Sequence, residues 1–228
     1  MSTKLTVTGA SAFNALAAIA KNPRKQYVVP GAYPVGGEQE SLLICLDKSP
    51  SMLETQPDGV VRMVAARNAA MKLIEASVYS QVGLASFNQT FQLHAEIGDR
   101  DRAQQMLGTI ECSSYTFIIK ALVNSYKLLR LQKTPVRRLI LLSDGGANDL
   151  EWTDEQRFKH ACDLSRAAKS EGIVTDTIAF GEGADFTMQE GIAVAGGGRC
   201  IRADSTDELI RGMMQLEART RGLLTGRK

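Results

Sequence analysis

Two uninterrupted apolar runs, each followed by an aspartate, constrain the fold of this chain more than any other feature. Leu42–Leu46 stops at Asp47, and Leu139–Leu142 leads through Ser143 to Asp144. An apolar run of this length without alternation is typical of a strand buried on both faces of a parallel sheet. Such a sheet needs helices on both faces to cover it.

Helical and strand patterns alternate from residue 41 onward. Helices are predicted at about 60–76, 100–107, 117–131, 154–170 and 207–220. Besides the two apolar runs, strands are predicted at about 82–87, 90–97, 173–180 and 199–203. Between the last two strands, residues 181–186 are predicted as a turn and residues 196–198 as a tight loop. The alternation predicts an α/β, doubly wound fold with a six-stranded, mainly parallel sheet and helices on both faces.

One strand of this sheet differs from the others. Residues 90–97 alternate apolar and polar side chains and follow the two-residue link Asn88-Gln89. This pattern favours a hairpin and one antiparallel edge strand that is half exposed. His94 falls in the polar phase of the alternation, so it is predicted to lie at the surface.

The chain is predicted to have three parts. Residues 1–40 form an N-terminal extension with a short strand, an Ala-rich helix and a Pro/Gly-rich loop. Residues 41–220 form the α/β domain, and residues 221–228 form a basic C-terminal tail. The oligomeric state does not follow from these patterns.

Composition excludes several classes of protein. Lys and Arg total 27 against 25 Asp and Glu, and this balance argues against a protein that coats nucleic acid. No apolar run approaches the roughly 20 residues of a membrane span. The four cysteines are widely spaced without a CxxC pair, which indicates reduced thiols. With no signal-like segment identified, a cytoplasmic location is predicted.

Oxygen-bearing side chains follow or precede elements that meet at one edge of the predicted sheet. Asp47, Ser49 and Ser51 follow the first strand, Thr116 precedes the long middle helix, and Asp144 follows the fourth strand. If the first and fourth strands are neighbours, these five side chains converge. Carboxylate and hydroxyl oxygens suit Mg²⁺, Mn²⁺ or Ca²⁺ rather than zinc or copper.

The pattern Asp47-x-Ser49-x-Ser51, then Thr116, then Asp144-Gly145 resembles the metal-ion-dependent adhesion site of von Willebrand factor type A domains. The resemblance extends over about residues 41–220 and implies a Rossmann-like fold. It implies that Ser49 and Ser51 bind the metal directly and that Thr116 binds it directly in at least one state. It also implies that the two aspartates hold the metal directly or through water.

The resemblance also implies a function. A Glu or Asp carboxylate of a protein partner would complete the metal's coordination, so the chain is expected to be a binding module rather than an enzyme. By analogy with small bacterial members, it would act in an assembly or regulatory system. Two residues depart from the family pattern: Pro50 stands where glycine is usual between the serines, and Tyr115 stands where glycine usually precedes the threonine.

Two alternative functions remain at this point. Asp47 could be the nucleophile of a metal-dependent phosphohydrolase, but Ser49 stands where such enzymes carry a second acidic residue as general acid. The chain could also be a metal-free scaffold that binds partners through its surface.

Overall fold

The computed structural model describes residues 40–145 and 152–224. The strand and helix predicted near the N-terminus lie outside these residues, as do the last four residues of the predicted basic tail. The last helix continues through residue 224 into the segment predicted as tail. The division of the chain into three parts stays a prediction.

The sheet has the predicted architecture. Its strand order is β3-β2-β1-β4-β5-β6, and all neighbouring strands are parallel except the antiparallel β2–β3 pair at one edge. The first and fourth strands are therefore neighbours at the centre. The strands are β1 Glu40–Asp47, β2 Ser80–Phe87, β3 Phe91–Ala95, β4 Val136–Ser143, β5 Ile173–Phe180 and β6 Gly197–Ala203.

Helices cover both faces of the sheet, as predicted. Alternate side chains of β1 point to opposite sides: Leu42, Ile44 and Leu46 belong to one apolar cluster, and Leu43 and Cys45 belong to the other. The helices are α1 Arg62–Ala76, α2 Arg100–Leu107, α3 Ile118–Arg130, α4 Asp154–Ser170, α5 Phe186–Ala195 and α6 Thr206–Leu224. The first cluster includes residues of α1, α2 and α6, and the second includes residues of α3, α4 and α5. None of the helices within residues 40–145 and 152–224 has the length and apolar character that a membrane crossing requires.

Helix α5 was missing from the sequence prediction. It begins after Asp185, whose side chain accepts a hydrogen bond from the Met188 amide at 3.0 Å. It packs closely against α4, because a Cβ at Gly191 would lie 2.5 Å from the Phe158 ring. The glycines before and within this helix obscured its periodicity. A glycine inside a helix is unfavourable by itself, and here close packing against α4 offsets that cost.

The prediction that His94 lies at the surface was wrong. Leu84 pairs with Ala95 while Ala85 pairs with Leu93, so β3 carries one extra residue at His94. Such a bulge breaks the alternation of the strand. His94 is consequently buried, and its Nε2 lies 2.7 Å from the Ser86 hydroxyl.

Burial of His94 should make the protein sensitive to acid. Burial, and secondly the nearby Lys48 charge, lower the pKa of His94 below its usual value. The unfolded chain then binds a proton at a higher pH than the native chain does, so stability falls as the pH drops through about 6.5. We expect the His94→Gln variant to lose less unfolding free energy than the wild type between about pH 7.5 and pH 5. Urea unfolding at both values measures this, and equal losses would contradict it.

A buried ion cluster joins the amino-terminal parts of three strands to the last helix. Arg138 Nε donates to Glu40 Oε1 at 2.7 Å, and its Nη1 lies 3.4 Å from Asp176 Oδ2. The same Nη1 donates to the Leu216 carbonyl at 3.0 Å. All three charged side chains are at most 3% exposed. The cluster therefore fixes the opposite end of the sheet from Asp47 and Asp144.

Candidate functional site

Asp47 ends β1 in a position fixed by two hydrogen bonds. The Ser49 amide donates to its Oδ1 at 2.8 Å, and the Ser143 hydroxyl donates to its Oδ2 at 2.6 Å. The side chain is fully buried. Since Ser143 ends the neighbouring strand β4, the parallel pairing of β1 and β4 brings these two strand ends together.

Ser49 and Ser51 are placed by a short 3₁₀ turn over Pro50–Leu53. Pro50 opens this turn, where its fixed φ suits the backbone and its missing N–H costs no hydrogen bond. The Ser49 and Ser51 hydroxyls lie 3.0 Å apart, and Ser51 Oγ donates to Asp144 Oδ1 at 2.8 Å. Proline in place of the usual glycine is therefore compatible with the converging hydroxyls.

Asp144 follows β4 and contacts an arginine that sequence reasoning missed. Arg62, the first residue of α1, donates from Nη1 to Asp144 Oδ2 at 2.9 Å. Its Nη1 also lies 2.9 Å from Glu54 Oε2, and its Nη2 donates to the Glu182 carbonyl at 3.2 Å. Asp144 thus has one oxygen facing the serine hydroxyls and one facing a buried guanidinium.

Thr116 lies on a loop that is hydrogen-bonded to the residues directly after β1 and β2. The Ser113 amide donates to the Lys48 carbonyl at 2.8 Å, and the Phe117 amide donates to the Asn88 carbonyl at 3.1 Å. Asn88 Nδ2 in turn donates to the Ser113 carbonyl at 2.6 Å. These bonds hold Thr116 within the same surface depression as Ser49 and Ser51.

Tyr115 and Pro50 form the apolar rim of this depression. Its lining consists of Ser49, Pro50, Ser51, Ser114, Tyr115 and Thr116. Tyr115 is 55% exposed. The residue before it, Ser114, has a φ of +63°, a left-handed conformation that is uncommon outside glycine. The loop therefore presents the phenol beside the hydroxyls rather than burying it.

The two aspartates lie in an environment that disfavours their negative charges. Burial raises the pKa of Asp47 to about 6, and the charge of Asp144 adds to this effect against opposing hydrogen bonds from Ser143 and Ser49. Burial also raises the pKa of Asp144, although Ser51 and Arg62 oppose the shift. A cation beside these carboxylates would offset the cost of keeping both ionised.

The donor set fits a hard divalent cation. It consists of oxygen atoms alone, two carboxylates and three hydroxyls, which are the ligands that Mg²⁺ and Mn²⁺ accept. Within the described part of the chain, no group of three or more His, Cys, Asp or Glu side chains is placed to hold a metal ion. A cation at this depression would therefore depend on the hydroxyls of Ser49, Ser51 and Thr116, and on water, as well as on Asp47 and Asp144.

Comparison with known proteins agrees with this architecture. Residues 42–147 match the family model of the von Willebrand factor type A domain. BatB from Bacteroides thetaiotaomicron is 20% identical, with a TM-score of 0.65 over 82% of this chain and 99% of that chain. An aerotolerance-related membrane protein from Bacteroides fragilis is 21% identical, with a TM-score of 0.65 over 81% of this chain and 100% of that one.

A third similar structure was determined with a metal bound. Proximal thread matrix protein 1 from the mussel byssus, with a zinc-occupied metal-ion-dependent adhesion site, is 16% identical. Its TM-score is 0.64 over 81% of this chain and 46% of that one. At these identities the likeness establishes the fold alone. No curated protein matches the chain by sequence.

The predicted cytoplasmic location was wrong. A protein of the same fold from Bacteroides fragilis is an aerotolerance-related membrane protein. The prediction depended on the lack of a signal-like segment and on cysteine spacing. Neither property of the sequence determines where such a domain acts.

Proposed function

We propose that this chain, whose residues 42–147 match the family model of the von Willebrand factor type A domain, is a binding module that captures a protein partner through a divalent cation. Ser49, Ser51 and Thr116 would hold the cation with their hydroxyl oxygens, and Asp47 and Asp144 would hold it directly or through water. Mg²⁺ is the expected ion, with Mn²⁺ or Ca²⁺ as substitutes. The partner contributes an Asp or Glu carboxylate.

One observation carries this proposal. The hydroxyls of Ser49 and Ser51 and the carboxylate of Asp144 form a continuous hydrogen-bonded chain of oxygens, although they come from separate loops. Asp47 and Thr116 are brought to the same edge of the sheet by their own backbone contacts. Hydroxyl-bearing residues that line an open depression, with a carboxylate hydrogen-bonded behind them, support a ligand set, since ordinary helix capping would not require this arrangement.

Each residue would have a distinct task. The Ser143 hydroxyl and the Ser49 amide orient Asp47, and the attached loop orients Thr116. A bound divalent cation would supply a positive charge able to accept a further anionic ligand. The exposed Tyr115 ring would contact the partner beside its acidic residue.

The same proposal assigns no catalytic turnover to the chain. Asp47 is fully buried, and both its oxygens already accept hydrogen bonds, which is unsuited to a nucleophile for phosphate esters. An assay with an aryl phosphate and Mg²⁺ separates the two functions. Turnover that depends on Asp47 would favour the phosphohydrolase.

The proposal predicts that divalent cations stabilise the folded chain. At a hundredfold excess over its Kd, a cation bound only to the native state adds about 2.7 kcal/mol to the unfolding free energy. We expect thermal unfolding in Mg²⁺ or Mn²⁺ to shift to higher temperature, and EDTA to reverse the shift. A chain with no such shift would be the metal-free scaffold instead.

Partner chemistry is tested with a displayed peptide library. Peptides retained by the chain in Mg²⁺ and released by EDTA should be enriched in Asp or Glu. Replacing that acidic residue with its amide should abolish retention. Enrichment of peptides without an acidic residue would contradict the proposed role of the partner's carboxylate.

A further inference from the structure

Arg62 is in direct contact with one of the proposed cation ligands. Its guanidinium is 8% exposed and lies 2.9 Å from Asp144 Oδ2, on the side of the carboxylate opposite to the Ser51 hydroxyl. The proposed ligand set therefore contains two buried carboxylates, and one of them already has a positively charged neighbour.

The position of this guanidinium is built into the backbone. Gly181, directly after β5, has a φ of +95°. A Cβ at this residue would lie 2.6 Å from Arg62 Nε and 3.0 Å from Gln56 Nε2. Any larger residue would displace Arg62 from Asp144, so the glycine provides the space that the arginine occupies.

Charges around Arg62 do not cancel its effect on the site. Its second acidic partner, Glu54, has a side chain that is 62% exposed, so solvent screens that charge. Asp144 is buried, and its interaction with Arg62 is screened much less. Arg62 is thus a buried positive charge in direct contact with Asp144 before any cation arrives.

We propose that Arg62 is a positioning residue that weakens cation binding at this site. It orients Asp144, and its charge repels a divalent cation that shares this carboxylate. The site would then hold a cation firmly only when a further carboxylate restores the negative charge that Arg62 offsets. This inference rests on the proposed function, since it concerns the same ligand set.

Calorimetric titration of the full chain with Mn²⁺ tests the inference, in a buffer without carboxylate or phosphate. Arg62→Met removes the charge and keeps most of the length of the side chain, and Arg62→Gln serves as a second neutral variant if the first does not fold. We expect both to bind Mn²⁺ about tenfold more tightly than the wild type, the order of effect of removing one like charge. Arg62→Lys keeps the charge and should stay near the wild-type affinity.

Arg130→Met is the matched control. It removes the same charge from the far end of α3, where Arg130 pairs with Glu171 at the surface. Its Mn²⁺ affinity should equal that of the wild type. A result in which the control tightens binding as much as the neutral Arg62 variants would overturn the inference, because net charge alone would then explain the change.

The other outcomes separate this inference from the proposed function. Folded neutral variants that bind Mn²⁺ no better than the wild type would overturn the inference and leave the function standing. Tightening by Arg62→Lys as well would overturn it, because charge would not be the cause. Binding by the neutral variants alone would support the inference and leave the function standing, because the titration contains no carboxylate to restore the negative charge. No binding by any variant would overturn both.

Discussion

Replacing Asp47 with asparagine is expected to abolish the stabilisation of the folded chain by divalent cations. The wild type should gain about 2.7 kcal/mol of unfolding free energy at a hundredfold excess of cation over Kd, and the variant should gain nothing measurable. The reason is that Asp47→Asn removes one of two carboxylates from a site whose other ligands are neutral hydroxyls. Thermal unfolding with Mn²⁺ and with EDTA measures the difference.

The fold should tolerate this change. Asparagine has the shape of aspartate, its oxygen can still accept from the Ser49 amide, and its Nδ2 can donate to the Ser143 hydroxyl. Asp163→Asn is the control, since it removes an exposed carboxylate that pairs with Lys159 and Arg166 on α4. An Asp47→Asn variant that responds to Mn²⁺ as the control does would refute the assignment of the site.

Replacing Arg138 with methionine is expected to destabilise the protein severely. The change removes the guanidinium that contacts Glu40 at 2.7 Å and leaves this buried carboxylate without its ion pair. It also removes the ion-pair contact with Asp176 and the hydrogen bond to the Leu216 carbonyl. Breaking one side of a buried ion pair costs about 3–5 kcal/mol. Urea unfolding followed by circular dichroism should show a loss of this size.

Its neighbour Arg137 provides the comparison. Arg137 lies on the same strand with a half-buried side chain, and it donates to the Glu171 carbonyl rather than to a buried acid. Arg137→Met should cost about 1 kcal/mol or less, since the loss of a partly exposed hydrogen bond is small. Similar losses in the two variants would mean that the buried cluster is not what stabilises this end of the sheet.

The order and type of most elements followed from local patterns, and the exceptions have specific causes. The run Leu42–Leu46 could be identified because both faces of β1 are buried, which removes any alternation. The bulge at His94 was not predictable, because it arises from pairing between β2 and β3, where it buries His94 and leaves Leu93 exposed. Helix α5 was missed because its glycine at 191 is favourable only against Phe158 of α4.

The residues of the candidate site also fall into two groups, those that sequence patterns indicated and those that they did not. Asp47, Ser49, Ser51, Thr116 and Asp144 could be proposed as ligands from the sequence because each stands close to a predicted strand or helix end. Arg62 was not, since an arginine at a helix start is usually solvated, and only the folded chain shows it buried against Asp144. Asn88 and Ser143 were missed because their importance depends on contacts made across strands.

The buried thiol of Cys45 gives experimental access to the strand that carries Asp47. Burial raises the pKa of Cys45 to about 12, and the residue has no exposed surface. Alkylating reagents attack the thiolate, so this cysteine reacts only when the central strand separates from its neighbours. Cys112 and Cys200 are less deeply buried and provide faster-reacting references within the same chain. The alkylation rate of Cys45 therefore reports how often the middle of the sheet opens. A ligand that binds to the ends of both β1 and β4 would slow this alkylation.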